Sequence, residues 1–110
     1  MNERKRRIGE NEAIFRSVNE QVTALNATLS TFTDTMTIVC ECGTRSCTDR
    51  FQIRPEEYAK VRQDSILFVI KPGHDLPEAE RVVVKADDYW IVRKDPGLPS
   101  RLARATDPNR

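Results

Sequence analysis

Three cysteines fall in one run of eight residues, Cys40-Glu41-Cys42-Gly43-Thr44-Arg45-Ser46-Cys47, and the chain has no other cysteine. Its single histidine, His74, follows 27 positions later, directly behind Pro72-Gly73. Three thiolates and one imidazole are a full ligand set for a structural zinc ion, which takes sulfur and ring nitrogen in a tetrahedron without a d-electron preference. Three cysteines cannot all pair internally, and the charged start is not followed by an apolar signal segment. Reduced cysteines in the cytoplasm are therefore expected, with Zn2+ as the cofactor and Cys40, Cys42, Cys47 and His74 as its ligands.

The first two cysteines are one residue apart, whereas zinc knuckles usually place roughly two to four residues between them. A tight reversal at Gly43, with the positive φ that glycine tolerates, is expected to bring both sulfurs to one side. Should His74 not be a ligand, Asp49 or Asp75 is the substitute. Four protein ligands leave no open position for water, and no H-E-x-x-H spacing supplies a general base. The metal is therefore expected to serve folding and the protein to have no catalytic residues. Oxidation of any of the three sulfurs would release the ion, a chemistry open to every such site.

A staple of this kind suits the rest of the chain. With 110 residues and 38% hydrophobic content, it holds one domain with a modest core, and domains this small often lean on a metal or a partner. The formal charge is only +1, so no global field recruits nucleic acid. The distribution is uneven: residues 1–7 carry a net +3 and residues 94–110 a net +2, around a mildly acidic body. No stretch approaches the ~20 apolar residues of a membrane span.

Phe15, Val18, Val22, Leu25, Leu29 and Phe32 recur at alternating steps of three and four, widened by Ile14. They predict a long amphipathic helix, with Arg16, Asn19, Glu20, Gln21 and Asn26 on its polar side. The seam is expected either to pair with a second copy, giving a homodimer, or to fold back on its own sheet. Met36–Cys40 and Phe51–Ile53 are β-prone, Pro55 suits a helix start with Glu56 and Glu57 in its first turn, and Tyr58 and Val61 share that helix's inner face. Ile66–Ile70, the most apolar run, predicts a central strand. Arg81–Lys85 and Tyr89–Arg93 predict a hairpin across Ala86-Asp87-Asp88, with Val82 and Val84 on one face.

The expected fold is α+β: a long N-terminal amphipathic helix, a small, mainly antiparallel sheet, one short helix and a structural zinc knot. Residues 1–9 are expected to be a flexible basic N-terminus, 10–33 the helix, 34–95 the zinc-stabilised body and 96–110 a flexible C-terminal tail.

The motif order C-E-C-G-x-x-x-C-T-x-R, P-E-E-Y-x-x-V-R, P-G-H and V-V-x-K-x-D-x-Y-W-I-V resembles a family of small uncharacterised actinobacterial proteins. The resemblance covers about residues 10–94. It implies that Cys40, Cys42, Cys47 and His74 are a recurring metal set and that the charged ends are variable appendages. It implies no activity. Thr44-Arg45 stands where many members of that family have an acidic residue and proline. The function expected is a non-enzymatic zinc-containing interaction or regulatory adaptor, working through a homodimer or another protein partner. The alternative is a nucleic-acid-binding regulator using Arg4–Arg7 with a rim of Arg45, Arg50, Arg54 and Arg62; contact with a membrane is not expected.

Overall fold

A computed structural model describes residues 2–28, 35–44 and 46–108. Its elements run α1 (Asn2–Thr28), β1 (Met36–Val39), β2 (Arg50–Ile53), α2 (Pro55–Val61), β3 (Leu67–Ile70), β4 (Glu80–Lys85), β5 (Trp90–Lys94) and α3 (Leu98–Ala105). The α+β architecture is as expected, with the antiparallel sheet divided in two: β1 pairs with β2, and the other three strands lie in the order β3-β5-β4. Alternation explains β2, whose Phe51 and Ile53 turn inward while Arg50 and Gln52 are exposed. Pro55 opens α2, which buries Tyr58 and Val61. These side chains join Ile38, Phe68, Val69, Ile70 and Val92 in one core.

Two strand expectations need correction. The run Ile66–Ile70 does not lie at the centre of its ladder; β5 does, because it pairs on both sides. The outer edge of β3 is instead met by the chain around Glu41, whose N–H donates to the Val69 carbonyl at 2.9 Å. That contact hides the edge and accounts for its apolar sequence. Val82 and Val84 also do not share a face. A bulge sets Val82 opposite Val92 and Val84 opposite Ile91, neighbours that project to opposite sides.

The larger corrections concern the ends. Residues 1–9 were expected to be flexible, yet α1 starts at Asn2. Ile8 is buried, Gly9 sits against Leu102, and Arg4 Nε lies 2.6 Å from Glu78 Oε2. Residues 96–110 were expected to be a flexible tail, yet Leu98–Ala105 form α3, which buries Pro99, Ser100 and Ala103. Two short helical signals escaped the periodicity because neither end carries a long apolar stripe.

The buried face of α1 is also not the apolar seam. Glu12, Arg16 and Asn19 are fully buried, whereas Ile14 is 61%, Val18 39% and Leu25 59% exposed. Phe15 and Val22 lie between, half-buried; Leu29, Thr31, Phe32 and Thr33 fall outside the described residues. The polar face wins because each side chain finds partners. Lys94 Nζ lies 2.7 Å from Glu12 Oε1 and 2.9 Å from Glu80 Oε1. Arg16 donates to the carbonyls of Ser65 at 2.7 Å and Ala103 at 2.8 Å, with its guanidinium 4.5 Å from the centre of the Phe68 ring. Arg62 bridges Glu20 at 2.6 Å and Asp107 at 2.5 Å. Among the described residues, no helix is long and apolar enough to cross a membrane.

Burial, and secondarily the charge of Glu80, hold Glu12 well above the usual carboxylate range against the pull of Lys94. The folded chain thus keeps a proton that the unfolded chain releases above its ordinary value of 4.5. This contribution to stability is complete below that pH and is lost as pH rises towards the raised folded value. Glu12→Gln should therefore flatten the fall in stability as pH rises above the ordinary value of 4.5, relative to wild type, by up to about 1.4 kcal/mol per pH unit, the linkage of one proton. Urea unfolding of both metal-loaded proteins across that range measures the difference.

Candidate metal centre

The site begins where β1 ends. Cys40 N–H donates to the Asp49 carbonyl at 2.9 Å, adding one more rung to the β1–β2 ladder. The chain then keeps an alternating disposition: Cys40 and Cys42 turn to one side and Glu41 to the other. This period of two is what makes a single intervening residue suffice. The expected reversal at Gly43 is not the reason, since Gly73 and Gly97 are the glycines with positive φ. Gly43 is needed for space: a Cβ there would come within 2.4 Å of Ile8 Cγ2. Asn11 Nδ2 donates to the Gly43 carbonyl at 3.0 Å, so the loop is docked on α1.

His74 arrives by a turn that its sequence explains. His74 N–H donates to the Lys71 carbonyl at 3.1 Å, with Gly73 at φ 85°. Pro in the second position and a positive-φ glycine in the third make this a type II turn. Cys47 N–H donates to the Thr44 carbonyl at 3.0 Å.

The three sulfurs and one ring nitrogen all lie within 4.8 Å of one another. His74 Nδ1 is 3.6 Å from both Cys40 Sγ and Cys47 Sγ. A tetrahedron with bonds of about 2.3 Å to sulfur and about 2.05 Å to nitrogen has sulfur–nitrogen edges of about 3.6 Å. The two measured edges therefore match those of a tetrahedral metal site, and the four donor atoms are gathered closely enough to share one ion. Cys40, Cys42, Cys47 and His74 come together as the sequence predicted, and neither Asp49 nor Asp75 is a member of the four-ligand group. Asp49 has a different place: its Oδ2 lies 3.4 Å from His74 Nε2, the ring nitrogen facing away from the sulfurs. A carboxylate there orients the imidazole and raises its basicity towards a metal.

The electrostatics ask for a cation. Cys42 is pulled down to about 5, first by a hydrogen bond from Cys40, with the Thr44 N–H and His74 also contributing. Cys40 is pushed up, first by that same bond and then by burial, and Cys47 is pushed up mainly by burial. The protein's own groups thus ionise one sulfur readily and hold protons on its neighbours. Each sulfur also receives a backbone N–H: Lys71 on Cys40 at 3.1 Å, Thr44 on Cys42 and Asp49 on Cys47. A dication completes what those donors begin by making all three thiolates favourable.

Glu41 is the residue that sequence reasoning missed. Its fully buried carboxylate accepts from Asn19 Nδ2 at 2.8 Å, Tyr58 Oη at 2.5 Å and Val69 N–H at 3.0 Å. Asn19 also donates to the Val39 carbonyl and accepts from Val39 N–H, both at 2.8 Å. The amide imitates a neighbouring strand and covers the outer edge of β1 at Val39. Burial raises the Glu41 carboxyl above its ordinary value despite these donors. The only signal available was its position between two ligands. Of the expected arginine rim, Arg62 is buried in ion pairs and Arg45 lies outside the described residues.

No family model, curated protein or solved structure matches the chain. The site must speak from its own chemistry: a small domain carrying a compact Cys3His cluster fit for a metal.

Cys42→Ser should abolish tight metal binding, because it removes a buried ligand that no other described cysteine can replace. Asp49→Asn should keep the fold and weaken the metal about 10- to 100-fold, the usual effect of losing a ligand's supporting carboxylate. Competition with a chromophoric chelator measures both.

Proposed function

We propose that this protein is a non-enzymatic, zinc-stabilised interaction or regulatory adaptor that works in the reducing cytoplasm. The observation that carries the reading is the closed ligand set: four protein atoms with tetrahedral spacing, which leave no position for a substrate or an activated water. Zinc is favoured over other ions because three thiolates and one imidazole suit its borderline softness and its indifference to geometry. The ion's work is mechanical. It ties the end of β1 to the turn after β3, and a site of this type supplies on the order of 10 kcal/mol of apparent folding energy. The order of motifs also supports placing the chain in the actinobacterial family it resembles.

The partner surface favoured on α1 is the stripe Ile14, Val18 and Leu25, exposed at helical spacing while the opposite face of the helix is occupied. A second copy of the chain is the simplest occupant, giving a dimer through paired helices; another protein is the other. A second reading, nucleic-acid binding, draws support from one observation: Lys5, Arg6 and Arg101 line a single groove where α1 meets α3. Arg4 is less available for that role because it pairs with Glu78.

Elemental analysis of protein purified under reducing conditions should find one zinc per chain, and chelation should unfold the body cooperatively; a zinc-free protein with an intact fold would end the proposal. Sedimentation should show a concentration-dependent dimer that Leu25→Asp converts to monomer without loss of zinc. A salt-dependent shift on DNA, lost on Arg6→Glu, would promote the second reading instead.

A further inference from the structure

Residues 40 and 49 form a hydrogen-bonded pair, since Cys40 N–H donates to the Asp49 carbonyl. In an antiparallel ladder such pairs alternate with non-bonded ones. With the register of β1 and β2, the bonded pairs are Ile38 with Phe51 and Met36 with Ile53. The N–H and C=O groups of Thr37, Val39, Arg50 and Gln52 must then point away from the ladder. On β1, Asn19 bonds both groups of Val39. On β2 the outward N–H and C=O of Arg50 and Gln52 have no partner among the described residues. The β1 edge is covered at Val39, whereas the β2 edge is open at both of its outward residues among those described.

A groove of about 740 Å³ runs along that open edge. Arg50, Phe51 and Gln52 all line it, as expected of a cavity that reaches the strand edge, where successive residues from both faces meet. The far wall is Lys71, Pro72 and the hairpin tip Asp87-Asp88-Tyr89. Phe51 and Tyr89 are stacked, with ring centres 6.1 Å apart and planes at 22°. We propose that this groove takes one extended peptide of a partner protein, added as a strand to β2, with acidic and apolar side chains alternating along it.

An extended peptide is the occupant that uses a free strand edge directly. A strand laid beside β2 at about 4.8 Å uses the free groups of Arg50 and Gln52. Its side chains on the outer face meet Arg50, an exposed cation, and so favour a carboxylate. Those on the inner face meet the apolar Phe51–Tyr89 pair. Asp87, Asp88 and Glu57 at the rim disfavour a uniformly acidic chain. This inference names a partner class for the adaptor proposed above and rests on that reading.

The test titrates the zinc-loaded full chain with an octapeptide alternating glutamate and valine, followed by amide NMR. Binding should slow exchange of the Arg50 and Gln52 amides about tenfold or more. The lysine–valine counterpart should bind at least about tenfold more weakly, as should the glutamate–valine peptide N-methylated at alternate amides. Gln52→Pro removes one outward donor and no ladder bond, so it should weaken binding similarly while zinc content and melting stay unchanged. If that variant misfolds, the N-methylated peptide still decides. Unperturbed Arg50 and Gln52 amides, equal binding of the lysine peptide, or equal binding of the N-methylated peptide would each overturn the inference. Any of these results with one zinc still bound sinks the peptide site alone; missing zinc sinks the adaptor reading.

Discussion

The fold hinges on three consecutive residues that face two ways. Cys40 and Cys42 present sulfur to the metal cluster, and Glu41 between them presents its carboxylate to Asn19, Tyr58 and the Val69 N–H. One short piece of extended chain thereby joins both sheets, α1 and α2. Three crowded sulfurs need a cation to ionise together, and a carboxylate with no solvent access needs every one of its donors. A metal bound to the cluster would hold the strand end in place, and the strand end holds the carboxylate where those donors converge.

Around that point, both chain ends are held by polar groups where an apolar seam was expected. Glu12 with Lys94 and Glu80, Arg16 with two backbone carbonyls, and Glu20 with Arg62 and Asp107 fasten α1 and α3 to the sheets. Buried ion pairs such as Lys94–Glu80 and Arg62–Asp107 contribute little net stability compared with apolar packing of the same volume, but breaking one is costly. Such contacts select a single docking angle. They also leave the apolar stripe Ile14, Val18 and Leu25 of α1 exposed. A helix with two usable faces, one polar and enclosed, one apolar and exposed, suits a protein whose proposed work is to be bound.

The metal ligands were legible because their chemistry is local and rare: three cysteines in eight positions, one histidine, and a Pro-Gly pair that dictates its own turn. The strands and α2 were legible because alternation and a proline at a helix start carry their meaning within a few residues. The face of α1 was not. Periodicity weighs hydrophobicity alone, and Arg16 on a helix looks solvated until carbonyls more than 45 residues away are placed around it. The same holds for Glu41, which lies beside Glu56 and Glu57 in composition but has nothing in common with them in environment.

The sequence by itself determined the ligand set, the class of fold and the local turns, because these depend on residue chemistry and short-range backbone geometry. Only the tertiary structure decided which face of the long helix is inside, that the two ends are helical and packed, and that β2 keeps one edge open. Those outcomes turn on whether buried polar groups find partners distant in the chain, and partnership of that kind exists only once the backbone has been folded in three dimensions.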